Sequence, residues 1–399
     1  MWGEAQTPQE PMELKGLKIS VIGAGIGGLT AALALRRQGA AVTVLEQAEA
    51  ISEVGAGLQI TPNGVSVLKA LGLASDLAWS SQRARAVVLR GHRRGQEVLR
   101  LDLDEYAAGQ NYYFVHRSDL VKILAGAARR EGVQVRLLQK AERVEPGPQP
   151  VVHLGNGAQC GGDLVVGADG LHSRTRVALN GERKPFFTGQ VAWRATVPNH
   201  LNLPPEAQVF MGPGRHLVAY PLRDGSLVNL VAVQERRAWA DEGWHFQDDP
   251  ANLRAAFSSF GGNAAALLDA VEEVLLWGLF RHPVAARWHG ENTAILGDAA
   301  HPTLPFMAQG ANLALEDAWV LARTLQESPG IKAGLALYQS RRRERAQKVV
   351  QAASRNAWKY HLRAPLNWPA HQVLKLGSRY APQKMVSQFD WIYRHDVTA

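Results

Sequence analysis

The chain has 399 residues, 46% hydrophobic and 20% charged, a balance that excludes wholesale disorder and is long enough for two domains around a large core. A formal net charge of +8 raises nucleic acid or a membrane as partners, yet no recognition motif accompanies it and no run reaches the roughly 18 apolar residues of a membrane helix. Cys160 is the single cysteine, so no intramolecular disulfide forms, and the thirteen histidines lack metal-ligand spacing; a reducing, cytoplasmic setting without a metal is expected.

Residues 1–13 carry Pro8, Pro11, Glu4 and Glu10 and lack the basic start and apolar core of a signal peptide, so they read as a disordered leader. An apolar run over 17–22 then ends in Gly23-Ala24-Gly25-Ile26-Gly27-Gly28, residues 26–38 follow with helical spacing, and 41–45 form a second β-type run with Glu46 at its end. Strand, glycine turn, helix and strand make a dinucleotide cradle. Gly23 makes the turn, Gly25 admits a pyrophosphate, Gly28 lets helix and strand close up, and the helix N-terminus offers free N–H groups to the phosphates. Glu46 stands 18 residues beyond Gly28, where a carboxylate binds a ribose 2′-hydroxyl and repels a 2′-phosphate. These residues alone do not separate FAD from NAD. Gly55-Ala56-Gly57-Leu58-Gln59-Ile60 lacks the third glycine and a leading strand, so any second nucleotide has no Rossmann cradle of its own.

In the middle of the chain, 151–154 lead into the hairpin signal Gly155-Asn156-Gly157, and a buried-type strand over 163–166 delivers Asp169 and Gly170 to its C-terminal end. Residues 182–290 differ in texture. Strands are expected over 191–197, 208–211, 216–222 and 227–233, with an Asp-Gly turn at Asp224-Gly225. Side-chain alternation puts His216, Val218 and Tyr220 on one face, a set suited to a small aromatic acid or phenol. Another short strand, 293–296, delivers Gly297 and Asp298, and a helix runs from near Ala311 to Leu325. Asp298 is placed to accept hydrogen bonds from a polyol. Residues 333–363 form a long helical pattern broken by Pro365 and Pro369. Its basic run Arg341-Arg342-Arg343-Glu344-Arg345 reads as a solvated helix face rather than a nucleic-acid patch, and the aromatic tail to Ala399 is expected to fold back or enter a subunit interface.

With these motifs in place, the chain resembles the single-component, class A FAD-dependent monooxygenases that hydroxylate aromatic rings, over residues 17–352. Asp169-Gly170-Leu171-His172-Ser173-Arg174-Thr175-Arg176 is similar to their D-G-x-x-S-x-x-R element, which serves FAD and the reduced nicotinamide. Gly297-Asp298 is similar to their G-D element, whose Asp holds the ribityl chain, and His116-Arg117-Ser118-Asp119-Leu120 to their Arg-bearing helix start. Gly55-Ala56-Gly57-Leu58-Gln59-Ile60, Trp193-Arg194-Ala195, Gly212 to Pro221, and His301-Pro302 with Ala308-Gln309-Gly310 resemble the salicylate hydroxylase and 3-hydroxybenzoate 6-hydroxylase subgroup, with 6-hydroxynicotinate 3-monooxygenase nearby.

The resemblance implies an α/β fold like that of para-hydroxybenzoate hydroxylase: a discontinuous Rossmann-type FAD domain (14–182 and 291–340), an inserted antiparallel substrate sheet (183–290) and a C-terminal helical segment (341–399). It implies FAD held by Gly23, Gly25, Gly28, Glu46, Gln59, Arg117, Asp169, Gly170, Gly297, Asp298, Gly310, Ala311 and Asn312, the last three at a helix start whose positive end faces the ring. It also implies NADH, or NADPH, and O2 as co-substrates, and a monomer or homodimer without nucleic acid. An electrophilic oxygen needs an electron-rich ring, so His216 is expected as the base or proton relay that ionises a ring hydroxyl, its ordinary pKa near 6.5 suiting neutral pH, with Tyr220 assisting. Arg194 or Arg215 is a candidate for a substrate carboxylate. Two departures leave the substrate open: Gln59 stands where the hydroxynicotinate enzymes carry His, and Pro305 where the hydroxybenzoate enzyme carries Gln. A same-fold enzyme acting on a ubiquinone precursor or other lipophilic ring is the alternative, and a nucleotide-binding regulator the rival of another class.

Overall fold

In a computed structural model, described for residues 11–51, 57–237 and 246–399, the expected strand, turn, helix and strand open the chain: β1 (Lys18–Ile22), α1 (Ile26–Arg37) and β2 (Ala41–Leu45). There follow β3 (Gly57–Ile60), β4 (Ala86–Gly91), β5 (Glu97–Asp102), α2 (Arg117–Arg130), β6 (Gln134–Arg136) and β7 (Leu164–Gly167). The middle holds β8 (Phe186–Pro198), β9 (Glu206–Gly212), β10 (Arg215–Leu222), β11 (Leu227–Glu235), β12 (Phe246–Asp248) and β13 (Val274–Arg281). The chain closes with β14 (Thr293–Ile295), α3 (Gly310–Glu327), α4 (Ile331–Tyr360) and α5 (Asn367–Tyr380), besides shorter elements.

Five parallel strands in the order β14-β7-β1-β2-β6 form the first sheet. Its central strands are apolar because α1, α2 and α3 cover one side: Leu29, Leu33, Val42, Val44, Leu120 and Leu321 pack in one core. The order places the C-terminal ends of β14, β7 and β1 side by side. Gly297, Ala168 and Gly23, far apart in the chain, therefore meet at one edge, with Ala168 N donating to Ile22 O and Leu296 N to Gly167 O at 2.9 and 3.0 Å.

The second sheet has eight strands in the order β12-β13-β8-β11-β10-β9-β4-β5, antiparallel except where β9 runs parallel to β4. The expected strands and the turn after Leu222 are present, but β4 and β5 come from the amino-terminal part. Boundaries at 183 and 290 therefore do not enclose this sheet. On its rear face Leu217, Ala219 and Leu230 pack on Leu253, Phe257 and Leu267 of two short helices, which leaves the opposite face of β10 directed toward the first sheet.

Two further expectations change, the leader and the basic run, and the tail takes the first of its two expected courses. Residues 1–10 of the leader, like Gly55 and Ala56, lie outside the described residues, but Met12 N donates to Ser328 O at 2.8 Å and Leu14 is buried, so the folded chain begins before residue 14. The tail folds back, burying Ile392 against Leu313 and Val349. The basic run is not simply a solvated face, because Arg342 is fully buried and Arg345 nearly so. Arg342 Nε donates to Asp317 Oδ1 at 2.8 Å and its Nη1 to Glu316 Oε2 at 2.5 Å, while Arg345 reaches Glu316 at 2.8 Å. The two carboxylates are consecutive on α3, so α4 must bring matching charge into the interior. Sequence spacing alone does not reveal which arginines of a basic helix turn inward.

Burial raises the Asp317 carboxyl, but His301 and Arg342 outweigh it and bring it down to about 2. Replacing Arg342 by Met leaves two buried carboxylates short of a partner, so thermal or denaturant unfolding should show a loss of about 3–5 kcal/mol. A loss below 1 kcal/mol would mean that the network carries no stability.

Candidate functional site

Between the two sheets lies a groove of about 670 Å³. One end is built by β1, α1 and β2. Gly23 has φ +100°, and a Cβ there would lie 2.5 Å from Ala168 O. A Cβ on Gly28 would lie 1.9 Å from Gly23 O, so the glycine lets α1 pack against the turn. Gly28 does not itself line the groove; Gly23, Gly25 and Gly27 do. The Glu46 carboxylate accepts from Ala24 N at 2.7 Å and Ala48 N at 2.9 Å, and it borders the same space. The N-terminus of α1 carries no side-chain cap, so its N–H groups and positive dipole end are available to an anion in the groove.

Along the floor, Asp169 is committed to its own loop, accepting from Ser173 Oγ at 2.5 Å and from Thr175 N and Oγ1 at 3.2 Å. Burial raises its carboxyl above the ordinary range. Gly170 follows with φ +73° and open space around it. Arg176, which ends the D-G-x-x-S-x-x-R element, points away from the groove. It donates to Ala299 O at 2.9 Å, Ala300 O at 3.2 Å and Pro283 O at 2.7 Å, tying the Asp169 loop to the Asp298 loop.

Asp298 is the exposed residue of a buried strand end, and what it faces is the groove. The surrounding walls raise its carboxyl, with His301 and Arg117 opposing. Arg117, at the start of α2, borders the same space and is lowered by burial. Gly310 and Ala311 open α3, whose N-terminus also lacks a side-chain cap and lines the groove. Asn312 does not. Its Oδ1 accepts from Thr61 N and its Nδ2 donates to Gln59 O, both at 3.0 Å, which locks α3 to β3 from behind. The Asn312 side chain therefore faces the interior, which leaves only its backbone N–H, at the start of α3, for the groove.

The far wall is β10. His216, Val218 and Tyr220 all border the groove, as alternation requires. Tyr220 is buried against Phe114, ring centroids 4.9 Å apart, and burial keeps its hydroxyl neutral at any ordinary pH. Gln59 lies beside it, accepting a hydrogen bond from the Tyr112 hydroxyl. His216 is 1% exposed, with Phe306 edge-on at 5.2 Å and Tyr360 at 5.3 Å. Burial, with His361 adding, depresses its pKa well below 6.5, so its expected ordinary basicity does not hold.

Of the two arginine candidates, Arg194 borders the groove with its guanidinium 4.6 Å over Trp277; burial lowers it to about 10. Arg215 bonds Ala256 O behind the sheet and is out of reach. Next to His216 a second chamber of about 200 Å³ opens, sharing Pro305, Phe306 and Gln59 with the groove and walled by aliphatic residues such as Leu89, Leu101 and Val209.

Residues 17–353 match the model of the FAD binding domain family. The chain belongs to that family. It is 36% identical to 3-amino-4-hydroxybenzoate 2-monooxygenase of Streptomyces cremeus, over 87% of this chain and 89% of that protein. It is 31% identical to salicylate hydroxylase of Pseudomonas putida, over 96% and 93%. Among solved structures, Klebsiella pneumoniae HpxO complexed with FAD and uric acid superposes with a TM-score of 0.81 at 26% identity, covering 94% of this chain and 97% of that one. The chain is an FAD-dependent monooxygenase.

The residues present fit FAD. Gly23, Gly25 and Gly27, the carboxylates of Glu46 and Asp298, and two uncapped helix N-termini line one space. Two signals were missed from sequence: Phe306, which borders both cavities, and His361, whose 145-residue separation from His216 hides their contact. Among the described residues no His, Cys, Asp and Glu group is arranged to hold a metal, and no helix is long and apolar enough to cross a membrane.

Gly28→Ala should yield folded protein that purifies without the visible absorbance of bound flavin, because the added methyl drives α1 off the turn. Retention of full flavin content would show that the close approach is dispensable.

Proposed function

We propose that the enzyme hydroxylates a phenolic or hydroxybenzoate-like ring using O2 and NADH, with NADPH as the less favoured donor. The observation that carries this reading is the placement of His216 and Tyr220 on the groove wall where it joins the apolar chamber. The chamber is sized for a small ring, and most of its wall is apolar.

In this reading Gly23, Gly25 and the N-terminus of α1 hold the pyrophosphate, Glu46 a ribose hydroxyl, Asp298 the ribityl chain, and the N-terminus of α3 the electron-rich edge of the ring system. Arg117, Gly170, Gly297 and Gln59 complete the walls, and Asp169 stiffens its loop. When bound, FAD supplies the electrons that convert O2 into an electrophilic oxygen donor. The protein's part is to present the substrate as its phenolate, since ionising a ring hydroxyl raises electron density at the ortho and para carbons. His216 accepts that proton, and the neutral Tyr220 hydroxyl donates a hydrogen bond to the anion. Of the two arginines expected for a ring carboxylate, Arg194 is the one that borders the groove.

A second reading, a lipophilic ring, is favoured by the aliphatic walls of the chamber. A panel of hydroxybenzoates, hydroxypyridines and alkyl-substituted phenols, scored for coupled product, separates the two. The single Cys160, half-buried on a short strand, suits work in a reducing compartment such as the cytoplasm, as a monomer or homodimer.

Asp298→Ala removes charge-assisted hydrogen bonds worth about 1.5–3 kcal/mol, so FAD should dissociate roughly 10- to 150-fold more readily by fluorescence titration. In His216→Ala, FAD should stay bound and substrate should still trigger NADH oxidation, while product per NADH falls about 100-fold or more. Unchanged product yield would remove His216 from the chemistry.

A further inference from the structure

His216 presents a contradiction if it acts alone. It is enclosed by Phe306, Tyr360 and His361, and an imidazolium is costly in such surroundings. The structure also supplies a way around this. His216 Nδ1 lies 2.7 Å from His361 Nε2, and His361 Nδ1 lies 2.9 Å from Glu235 Oε1. Both imidazoles are buried, whereas the Glu235 side chain is 39% exposed. The three groups thus form a file from the groove wall to solvent.

The file has one consistent proton arrangement. An ionised Glu235 only accepts, so His361 carries its proton on Nδ1. His361 Nε2 is then an acceptor, and His216 must donate to it from Nδ1. This leaves the lone pair of His216 on Nε2, which has no hydrogen-bond partner among the described residues, on a side chain bordering the groove. Backbone contacts hold the file in register: Gly214 N donates to His361 O at 3.1 Å, and Glu235 N to Gly214 O at 2.9 Å. The neighbouring charges are Arg363, 3.1 Å from Glu235 Oε2, and Arg215, which with Arg363 opposes a charged His361 while Glu235 favours it.

We infer that His361 and Glu235 are the proton outlet of the substrate site, acting through His216. This rests on His216 being the base. When the substrate hydroxyl gives its proton to His216 Nε2, the O–H bond breaks and an N–H bond forms. The Nδ1 proton of His216 passes to His361 Nε2, the Nδ1 proton of His361 passes to Glu235, and Glu235 releases it to water. No imidazole has to hold a lasting positive charge, and one proton leaves for each phenolate formed. The return of a proton along the same file, as the product phenolate is protonated, restores the starting tautomers. His361 and Glu235 touch neither ring nor cofactor and are positioning residues.

The test uses the FAD-loaded enzyme with 4-nitrophenol as a chromophoric phenol, its binding followed by the flavin spectrum. After an upward pH jump in stopped flow, the rate at which the bound probe ionises is read from its absorbance. Glu235→Gln and His361→Gln should each slow ionisation about 10-fold or more while changing the final ionised fraction little. Added imidazole should partly restore the rate in His361→Ala. Glu235→Gln, on an exposed side chain, decides the matter if the His361 variants lose FAD or stability. Wild-type rates in Glu235→Gln, with His216→Gln slow, would overturn the outlet and leave His216 as base. Wild-type rates in all variants, or a probe that binds without ionising in the native enzyme, would overturn both. Nitrogen NMR of histidine-labelled enzyme gives an independent reading: both rings should be neutral with the proton on Nδ1, and the opposite tautomer on His216 would exclude the file as drawn.

Discussion

The buried carboxylate of Asp317 is the point on which the groove depends. It accepts from Gly297 N at 3.0 Å, His301 Nε2 at 2.5 Å and Arg342 Nε at 2.8 Å. One oxygen therefore holds the loop that carries Asp298, and the other holds α4. Such a group is tolerable in an apolar interior only when its lone pairs are filled and its charge is matched. Its neighbour Glu316 extends the arrangement through Asn63 to Gln309 and so reaches the start of α3. The groove floor and its uncapped helix thus share one electrostatic anchor.

From that anchor the division of labour between the sheets follows. The parallel sheet ends in glycine turns and helix N-termini, groups without bulk and with free donors, which suit a long anionic nucleotide. The antiparallel sheet offers a face of alternating side chains, which suits recognition of a small ring. The Arg176 guanidinium, spent on three backbone carbonyls, shows how a motif arginine serves the site from behind by joining two loops. The same holds for Asn312, whose side chain clamps β3 to α3.

Burial then sets the terms of the chemistry. The packing around His216 on the groove wall strips it of the solvation that a charged imidazole needs. A base in such a place works best if the charge does not rest on it, and the file through His361 to Glu235 meets that condition. Tyr220, raised by the same burial, remains a donor throughout. Apolar enclosure and proton movement are in this way two sides of one design constraint.

Periodicity and turn chemistry were enough to read β1, α1, β2 and the strands of the second sheet, since these depend on neighbours a few residues apart. The glycine turn, Glu46, Gly297-Asp298 and the shared face of His216 and Tyr220 were legible for the same reason. The family resemblance lent them roles that local pattern alone does not assign. What the chain's own order could not decide was which groups meet across long separations: that β4 joins β9, that Arg342 turns inward while Arg341 pairs with Glu327 at the surface, that Asn312 faces β3, and that His361 lies against His216. Local sequence determines elements and the faces they present. Only packing determines which charged or titratable group is taken out of water, because desolvation depends on everything that surrounds a side chain and not on its neighbours in the chain.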